Sequence, residues 1–434
     1  PLPQSQLEEM LAHRGGAMDF DTVLDQVLAN DTLLGVNKTV KDSQGGMNKF
    51  GAAFIESFIG SLLSGIKTQV ANFTGNSLMT VKGPLETAIA ARMGMGLPSD
   101  GDRVIAGEAM AMIYGMQNGF QDAYMAAWTA FKSGEPYGGV AKFELPHRRS
   151  MSSEALGLRG MFGWMADAYG HVARAPMERL LGPMDGFFKV INERAAHAQL
   201  SYREVMRQQA QEGLTDEETV IRLGEIMANP EAHRQGVTQE ITDYGLYTTF
   251  QNPLGPNGRA LQKIVNSSAI LKTLSPFIRT PINILKVGFG EMTGLSLLQR
   301  KYKDAIKSGT GANPAYAQNA RARLMMGASI MTTFAIYAMS GKITGSGPRD
   351  SKERATLMAT GWRPRSIRWD HKDGTITYVP YGRFEPASLP IGAIADVVEV
   401  MKTHQWDDLD ADGWDHANKV IGALVFAISE NTIN

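Results

Sequence analysis

The sequence predicts a mainly α-helical protein with one small β-hairpin near the C-terminal end, built as an elongated subunit of an assembly. Apolar residues recur at helical spacing along most of the 434-residue chain. Glycine and methionine are frequent, with 46 and 24 residues, which suits helices that pack closely and can repack. Residues 366–381 alternate around an Asp-Gly turn, and this pattern indicates a hairpin.

The composition excludes several kinds of chemistry. The chain has no cysteine, which excludes disulfides, thiolate zinc sites and cysteine nucleophiles. Its net charge of -1 argues against a protein that binds polyanions over its whole surface. No Met precedes Pro1, and residues 420–428 still have the pattern of an apolar helix. We therefore expect this chain to be a segment of a longer polypeptide.

We divide the chain into four consecutive regions by composition. They are an N-terminal helical region (1–150), a long-helix region (151–242), a kinked apolar and basic helical region (243–345), and the hairpin with the C-terminal helices (346–434).

Two segments of the N-terminal region have strong apolar patterns. Residues 50–64 contain one charge, Glu56, and predict either a buried core helix or an interfacial helix. Residues 103–132 predict one long helix with an apolar stripe. The stripe consists of Val104, Met110, Ile113, Met116, Phe120, Tyr124, Trp128 and Phe131.

The long-helix region opens with the glycine-rich residues 157–163, where we expect close helix packing rather than a phosphate loop. Residues 183–213 predict a long helix, and we expect its mixed charges on an exposed face. These charges are Lys189, Glu193, Arg194, Arg203, Glu204 and Arg207. Thr215 and Glu218 have the spacing of a capping box, so a new helix is predicted to begin there and to end near Asn229.

The third region contains an unusual stretch, residues 243–294. Pro276 and Pro281 interrupt its apolar helical pattern and are candidate hinges. Three basic residues recur seven apart, which keeps them near one face of a helix. These residues, Lys272, Arg279 and Lys286, are candidate contacts with DNA, lipid or a neighbouring subunit.

Residues 324–341 form the longest uncharged apolar run. As a helix they reach about 27 Å, just short of the ~30 Å hydrocarbon core of a bilayer. Arg321 and Arg323 lie at one end and Lys342 at the other, where their long side chains could reach lipid headgroups. These three are further candidate contacts. The run is either a buried central helix or a segment that inserts into a membrane under some conditions.

No pattern for catalysis, a cofactor or a metal site emerges, so we predict a protein that is not an enzyme. The eight histidines are scattered, and no two have the helical zinc spacing. Residues 408–413 begin like a calcium loop, but Lys419 stands where a bidentate Glu is required, so a capped acidic turn is the better interpretation. The basic run 147–149 is either a solvated turn or a phosphate contact.

Three segments resemble the large internal virion proteins of tailed bacteriophages. The first is LLSGIKTQVAN, residues 62–72, with Ile66 where the family often has Pro. The second comprises TFQNPLG at 249–255 and PFIRTPINILK at 276–286. The third is GWRPRSI at 361–367, followed after the hairpin by RFEPAS at 383–388. Together they cover roughly residues 50 to 400.

This resemblance implies a function as well as a helical fold. In short-tailed phages such proteins lie inside the capsid, are ejected with the genome, and assemble across the host envelope into a conduit for DNA. It implies a homo-oligomeric ring, other ejection, portal or core proteins as partners, and viral DNA passing through the lumen without sequence specificity. It also implies contact with the host membrane.

Two alternatives of other classes stay open. The chain is a structural core or scaffold protein that remains in the particle, or it is a peptidoglycan-cleaving enzyme without an evident motif.

Overall fold

The computed structural model describes residues 46–94, 103–137, 150–266, 277–292, 314–348, 350–384 and 386–403. These residues are mainly helical, with one two-stranded antiparallel sheet near the C-terminal end, so the predicted mainly α-helical fold with one small hairpin is confirmed. The chain divides into two compact units. The first comprises Pro1–Val70, Gly119–Ile191 and Asp243–Asn283, and the second comprises Ala71–Asn118, Asn192–Thr242 and Ile284–Asn434. The four regions drawn from composition stay a prediction.

The described part of the chain up to residue 212 contains seven α-helices and one π-helical turn. The π-helical turn, Met177–Leu181, directly follows Pro176. The helices up to residue 212 are α1 (Gly46–Leu63), α2 (Ile66–Met93), α3 (Glu108–Asn118), α4 (Phe120–Ser133), α5 (Ser153–Leu156), α6 (Gly160–Pro176) and α7 (Gly182–Glu212).

A second π-helical turn, Lys286–Glu291, lies in the later part of the chain. The remaining helices are α8 (Asp216–Ala228), α9 (Pro230–His233), α10 (Val237–Thr248), α11 (Pro256–Asn266), α12 (Arg279–Leu285), α13 (Pro314–Met339), α14 (Ser351–Ala359) and α15 (Ser388–Thr403).

Helix α8 begins with the predicted capping box. The Thr215 hydroxyl accepts a hydrogen bond from the Glu218 amide at 3.3 Å, and the Glu218 carboxylate accepts one from the Thr215 amide at 2.9 Å. Asn229 caps the other end. Both predicted ends of this helix are therefore confirmed.

We expect Thr215→Ala to lower the free energy of unfolding by about 1 kcal/mol, because an orphan amide of the first turn loses its acceptor. Thr219→Ala is the matched control. Thr219 lies inside the same helix, and its hydroxyl bonds only the carbonyl oxygen of Thr215, so its loss is expected to be nearly neutral. Urea titrations followed by circular dichroism measure both, and equal effects would contradict the capping argument.

The hairpin also forms as predicted, from β1 (Ser366–Asp370) and β2 (Ile376–Pro380). Its register runs from the pair Ser366 and Pro380 to the pair Asp370 and Ile376. At the turn, Gly374 has a φ of +85°, a conformation that glycine adopts readily.

The hairpin belongs to the core at the C-terminal end of the second unit. The buried side chains of this core come from the end of α13 and the segment after it, from the residue that follows β2, and from α15. They are Ala338, Ile343, Tyr381, Ile391, Ile394, Ala395 and Val398. One of the C-terminal helices predicted within residues 346–434 is observed as α15.

Two predictions about the helices are wrong. Residues 103–132 do not form one helix, because α3 ends at Asn118 and α4 begins at Phe120, with Gly119, a poor helix former, between them. The charges of α7 are not all exposed either. Lys189, Arg203 and Glu204 are buried, and the last two are paired with other side chains.

Candidate interaction surface

Helix α6 buries small residues and Arg174 on one side and exposes its large apolar side chains on the other. The buried positions are Gly163, Ala166, Gly170 and Arg174, which share one side of the helix. The opposite side carries six exposed apolar side chains: Met161, Phe162, Trp164, Met165, Tyr169 and Val172. A surface helix of a soluble protein has the reverse arrangement. We call these six side chains the outer face of α6.

The inner side of α6 is held by a buried ion pair with α1. Arg174 Nη1 lies 2.7 Å from Glu56 Oε1, and Glu56 is 0% exposed. Glu56 also accepts a hydrogen bond from the Met151 amide at 3.1 Å. The two helices approach closely, since a Cβ added to Gly60 would overlap the carbonyl oxygen of Ala173. α6 is therefore firmly attached by the side that carries its charge.

The close packing predicted for the glycine-rich residues 157–163 is confirmed at Gly163 alone, because Gly157 and Gly160 have positive φ values of +69° and +62° and no neighbouring atom where a Cβ would lie. Gly163 is buried, and a Cβ added there would lie 3.0 Å from the carbonyl oxygen of Leu158 and 3.2 Å from Ser153 Cβ.

Helix α4 has the same inverted arrangement. Its buried positions are three alanines, Ala123, Ala126 and Ala130. Its large side chains are exposed: Phe120, Tyr124, Met125, Trp128 and Phe131. Four of these five belong to the predicted apolar stripe. The stripe exists, but on α4 it faces away from the core.

At the end of α4 two aromatic rings stack on each other, and each ring also contacts a positively charged side chain. Trp128 and Phe131 stack with ring centroids 5.7 Å apart. Lys132 Nζ lies 4.8 Å from the Trp128 ring centre, and Arg179 lies 5.7 Å from that of Phe131. Arg179 also donates to the backbone carbonyl of Lys132 at 2.7 Å. These contacts stabilise an aromatic, cationic end of the helix.

Among the described residues, α13 is the one helix long and apolar enough to cross a membrane by length and composition. It contains residues 324–339 of the predicted apolar run, and it ends in a Schellman motif with Gly341 at a φ of +74°. Only 17% of its most apolar window is buried. Within the described part of the chain it is therefore not an enclosed central helix. Its insertion into a membrane stays a prediction.

One of the predicted contact residues, Arg323, lies in a cluster of four charges within the second unit. Lys82 Nζ lies 2.5 Å from Glu86 and 3.3 Å from Glu291. Arg323 pairs with Glu86, and it lies 3.3 Å from Glu291. Burial by itself would raise the pKa of Glu86, but Arg323 and Lys82 outweigh it and lower that pKa. Arg323 thus has an internal role, and an external contact for it stays a prediction.

The other candidate contacts have diverse surroundings. Lys342 pairs with Asp370 at the end of β1. Lys286 is exposed in the second π-helical turn, whereas Arg279 and Arg321 are half-buried. Nothing in these positions identifies a ligand, so their roles stay predictions.

Pro281, a candidate hinge, lies in the first turn of α12. Proline is tolerated in a first turn, because the missing amide has no partner within the helix there. Pro281 therefore does not break a helix, and its role as a hinge stays a prediction. Several other predicted features lie outside the described residues: Lys272, Pro276, the basic run 147–149 and the acidic turn 408–413.

Two carboxylates of α15 accept hydrogen bonds from residues 345–347, in the loop that follows α13. Glu399 accepts hydrogen bonds from the amides of Gly345 at 2.6 Å and Gly347 at 3.0 Å. Asp396 accepts from the Ser346 amide at 2.5 Å and from its hydroxyl at 3.1 Å. These bonds use both oxygens of each carboxylate, so the pair holds the loop. The described residues contain no group of three or more metal-ligating side chains.

We expect Glu399→Gln to change the pH dependence of unfolding. Burial raises the pKa of Glu399, although the two amides lower it in part. Between the ordinary value of 4.5 and this raised pKa, the folded state holds a proton that the unfolded state has released. The contribution of Glu399 to stability therefore falls as the pH rises through this window. Relative to the variant, the wild type should gain stability as the pH falls from neutral toward 4.5.

Urea titrations at a series of pH values measure this difference in stability. Glu86→Gln is the control, because the pKa of Glu86 is shifted in the opposite direction. Because the pKa of Glu86 is lowered, its contribution is present above the ordinary glutamate pKa and is lost only below it. The control should therefore show no relative change within the same window. Parallel curves for the wild type and Glu399→Gln would contradict the expected shift.

Comparison of the chain with protein-family models, with curated proteins and with solved structures finds no match. The fold defines the protein as mainly α-helical, with inverted helices in its first unit. The resemblance to phage internal virion proteins rests on the three sequence segments quoted above.

Proposed function

We propose that this chain is an internal virion protein of a short-tailed bacteriophage. It leaves the capsid with the genome, oligomerises in the host envelope and forms part of a conduit for DNA. In this proposal it acts mechanically rather than as an enzyme, inside the virion before infection and in the periplasm or inner membrane afterwards.

The observation that supports this proposal best is the inversion of α4 and α6. Monomeric soluble proteins rarely expose large contiguous apolar patches. Here eleven large apolar side chains of two helices are exposed, five on α4 and six on α6, while alanine, glycine and ion-paired residues occupy the inner sides. Such helices require cover from lipid or from other chains. A ring of subunits at a membrane supplies both.

Reconstitution tests the assembly part of the proposal. The purified chain is mixed with liposomes and examined by flotation and by electron microscopy. We expect bilayer binding and rings whose lumen admits double-stranded DNA. A chain that stays monomeric and never binds bilayers would contradict the conduit.

Comparison of intact virions with virions that have released their DNA tests the ejection part. An ejected protein is present in the first and missing from the second. A core or scaffold protein remains in both, which would favour the structural alternative.

The enzymatic alternative has a separate test. Loss of turbidity from purified cell walls incubated with this chain alone would favour peptidoglycan cleavage. We expect no loss, because Glu399, whose pKa burial raises, and its neighbour Asp396 are both occupied by the loop that they bind.

A further inference from the structure

We propose that the outer face of α6 is the lipid-contacting surface of the first unit, and that α6 lies in the plane of the bilayer interface. This inference rests on the proposed function, since it names the part of the chain that meets the host membrane. It concerns a bilayer surface rather than a second copy of the chain.

The outer face of α6 is wide and carries no charge. At about 100° per residue, its six large side chains span roughly 160° of the helix. Alanines and a proline occupy the other positions within that arc: Ala168, Ala175 and Pro176. The two formally charged residues of α6, Asp167 and Arg174, lie outside it. The arc is thus uncharged along the whole helix.

Those two charged residues are engaged on the attached side. Asp167 accepts a hydrogen bond from the Ser153 amide at 2.7 Å, and this bond lowers its pKa. Arg174 pairs with Glu56. Small inner residues and internally satisfied polar groups are how helices pack within lipid. α1 differs from α6 in this respect, because it buries Ile55, Ile59 and Leu63 beside Glu56.

The match of charge and polarity favours lipid over a second copy. A protein interface contains about one hydrogen bond per 100–200 Å², yet the Tyr169 hydroxyl and the Trp164 indole N–H are the two strong hydrogen-bonding groups among the six outer side chains. An uncharged face instead complements the uncharged acyl layer. Arg159 is exposed immediately before the first turn, where its guanidinium can meet lipid phosphates. Trp and Tyr are enriched at the level of the headgroups.

The length of α6 determines how it can lie. Its 17 residues reach about 26 Å, short of the ~20 residues that a span requires. With one side attached to α1 and the other apolar, it can rest on a bilayer with the outer face immersed among the acyl chains. Val172, Met161 and Met165 lie near the middle of the arc and are 72%, 69% and 52% exposed, so they would be the most immersed side chains. Trp164 lies at the edge of the arc, at the level of the headgroups.

Vesicle flotation with matched variants of the full chain tests this assignment. The test variant is Phe162→Glu/Trp164→Glu/Val172→Glu. The control is Val220→Glu/Ile221→Glu on α8, whose two side chains are 71% and 64% exposed. Vesicles of phosphatidylcholine, with and without phosphatidylglycerol, serve as probes. Circular dichroism and thermal melts confirm that each variant is folded.

We expect the test variant to lose more than about tenfold in vesicle partitioning, because carboxylates resist transfer into lipid, and the control to bind like the wild type. Equal binding by the test variant and the control would overturn the assignment. If the wild type and the test variant still form rings on vesicles, the proposed function survives while the α6 assignment fails. Absence of wild-type vesicle binding would overturn both the assignment and the membrane part of the function.

Tryptophan fluorescence provides a second measurement that does not depend on charge. Trp164→Phe keeps the face apolar, so it should bind vesicles normally but lose most of the blue shift that vesicles produce. Trp369→Phe, at a hairpin side chain 63% exposed, should keep that shift. If the shift survives in Trp164→Phe, Trp164 does not enter lipid. A change of oligomeric state without vesicles in the triple variant would identify the face as a subunit interface and overturn the lipid assignment.

Discussion

Replacement of Glu108 by alanine is expected to lower the free energy of unfolding by about 3–5 kcal/mol, because it leaves a buried guanidinium without its counter-charge. Glu108 is 0% exposed. Arg203 donates to its two oxygens, from Nε at 2.9 Å and from Nη2 at 2.7 Å. Gln199 donates at 2.9 Å and the Ile105 amide at 2.8 Å. A carboxylate with four donors is well compensated for its burial, and its removal takes this acceptor away from all four.

Glu240→Ala is the matched control for this prediction. Glu240 pairs with Arg234 at 2.8 Å, a distance close to that of the buried pair, but both side chains are partly exposed. Water screens such a pair, so its loss should cost less than about 1 kcal/mol. The two ion pairs have similar distances but differ in exposure, so the difference in their free-energy costs measures the effect of burial.

Urea titrations monitored by circular dichroism measure both variants, and Glu108→Gln adds an intermediate case. Glutamine keeps the size of the side chain, but its amide group brings a donor toward existing donors. We expect its effect to fall between those of the wild type and Glu108→Ala. If Glu108→Ala costs no more than Glu240→Ala, the network around Glu108 does not stabilise the second unit.

The features that sequence predicts well depend on local rules. The hairpin follows from alternation around Asp373 and Gly374, because a positive φ is required at that turn. The start of α8 follows from Thr215 and Glu218, whose spacing brings each side chain to the backbone of the other. In both cases the residues that determine the structure lie within a few positions of one another.

Local rules do not predict which side of a helix faces the core. A periodic pattern shows that a helix has two unlike faces, but not which one is buried. On α4 the aromatic stripe of Phe120, Tyr124 and Trp128 suggested an ordinary amphipathic helix, yet the alanines are buried. The deciding interaction is a contact with a distant segment, and no local rule contains it.

The prediction for the charges of α7 is wrong for the same reason, since it places them on an exposed face and several are buried. Arg203 and Glu204 occur in a run that looks solvated, because charged residues are almost never fully buried unless paired. The partner of Arg203 is Glu108, far away in sequence. One signal was present for α6: Asp167 and Arg174 lie seven apart, on the side of Gly163 and Gly170. Charges grouped with glycines indicate an inverted helix.

The pair formed by Glu56 and Arg174 is expected to show strong coupling in a double-mutant cycle. Arg174→Met should cost about 3–5 kcal/mol, since it leaves the buried Glu56 carboxylate without its ion-pair partner. Glu56→Leu should cost somewhat less, because Arg174 Nε keeps the partly exposed Glu178 carboxylate at 3.6 Å. The double variant should cost less than either single one. It replaces both charges with apolar side chains in a contact that is already closely packed, and such replacements are often close to neutral.

The double variant is not expected to recover completely, for a reason visible in the structure. The Met151 amide donates to Glu56, and its carbonyl accepts from Arg174 at 3.2 Å. Both backbone groups lose their partners, which costs about 1–3 kcal/mol when they stay buried. Simple addition of the two single effects would show that the charges do not interact in the folded protein.

This cycle also bears on why α6 carries its charges on the inner side. If the pair mainly stabilised the fold, an apolar replacement would be a better solution, and the double variant would match the wild type. A residual cost confined to the Met151 backbone would instead show that the pair fixes the segment before α6 as well as the helix. In that case the double variant should keep vesicle binding, because the outer face is untouched. Loss of binding with retained fold would mean that the pair also orients α6 toward lipid.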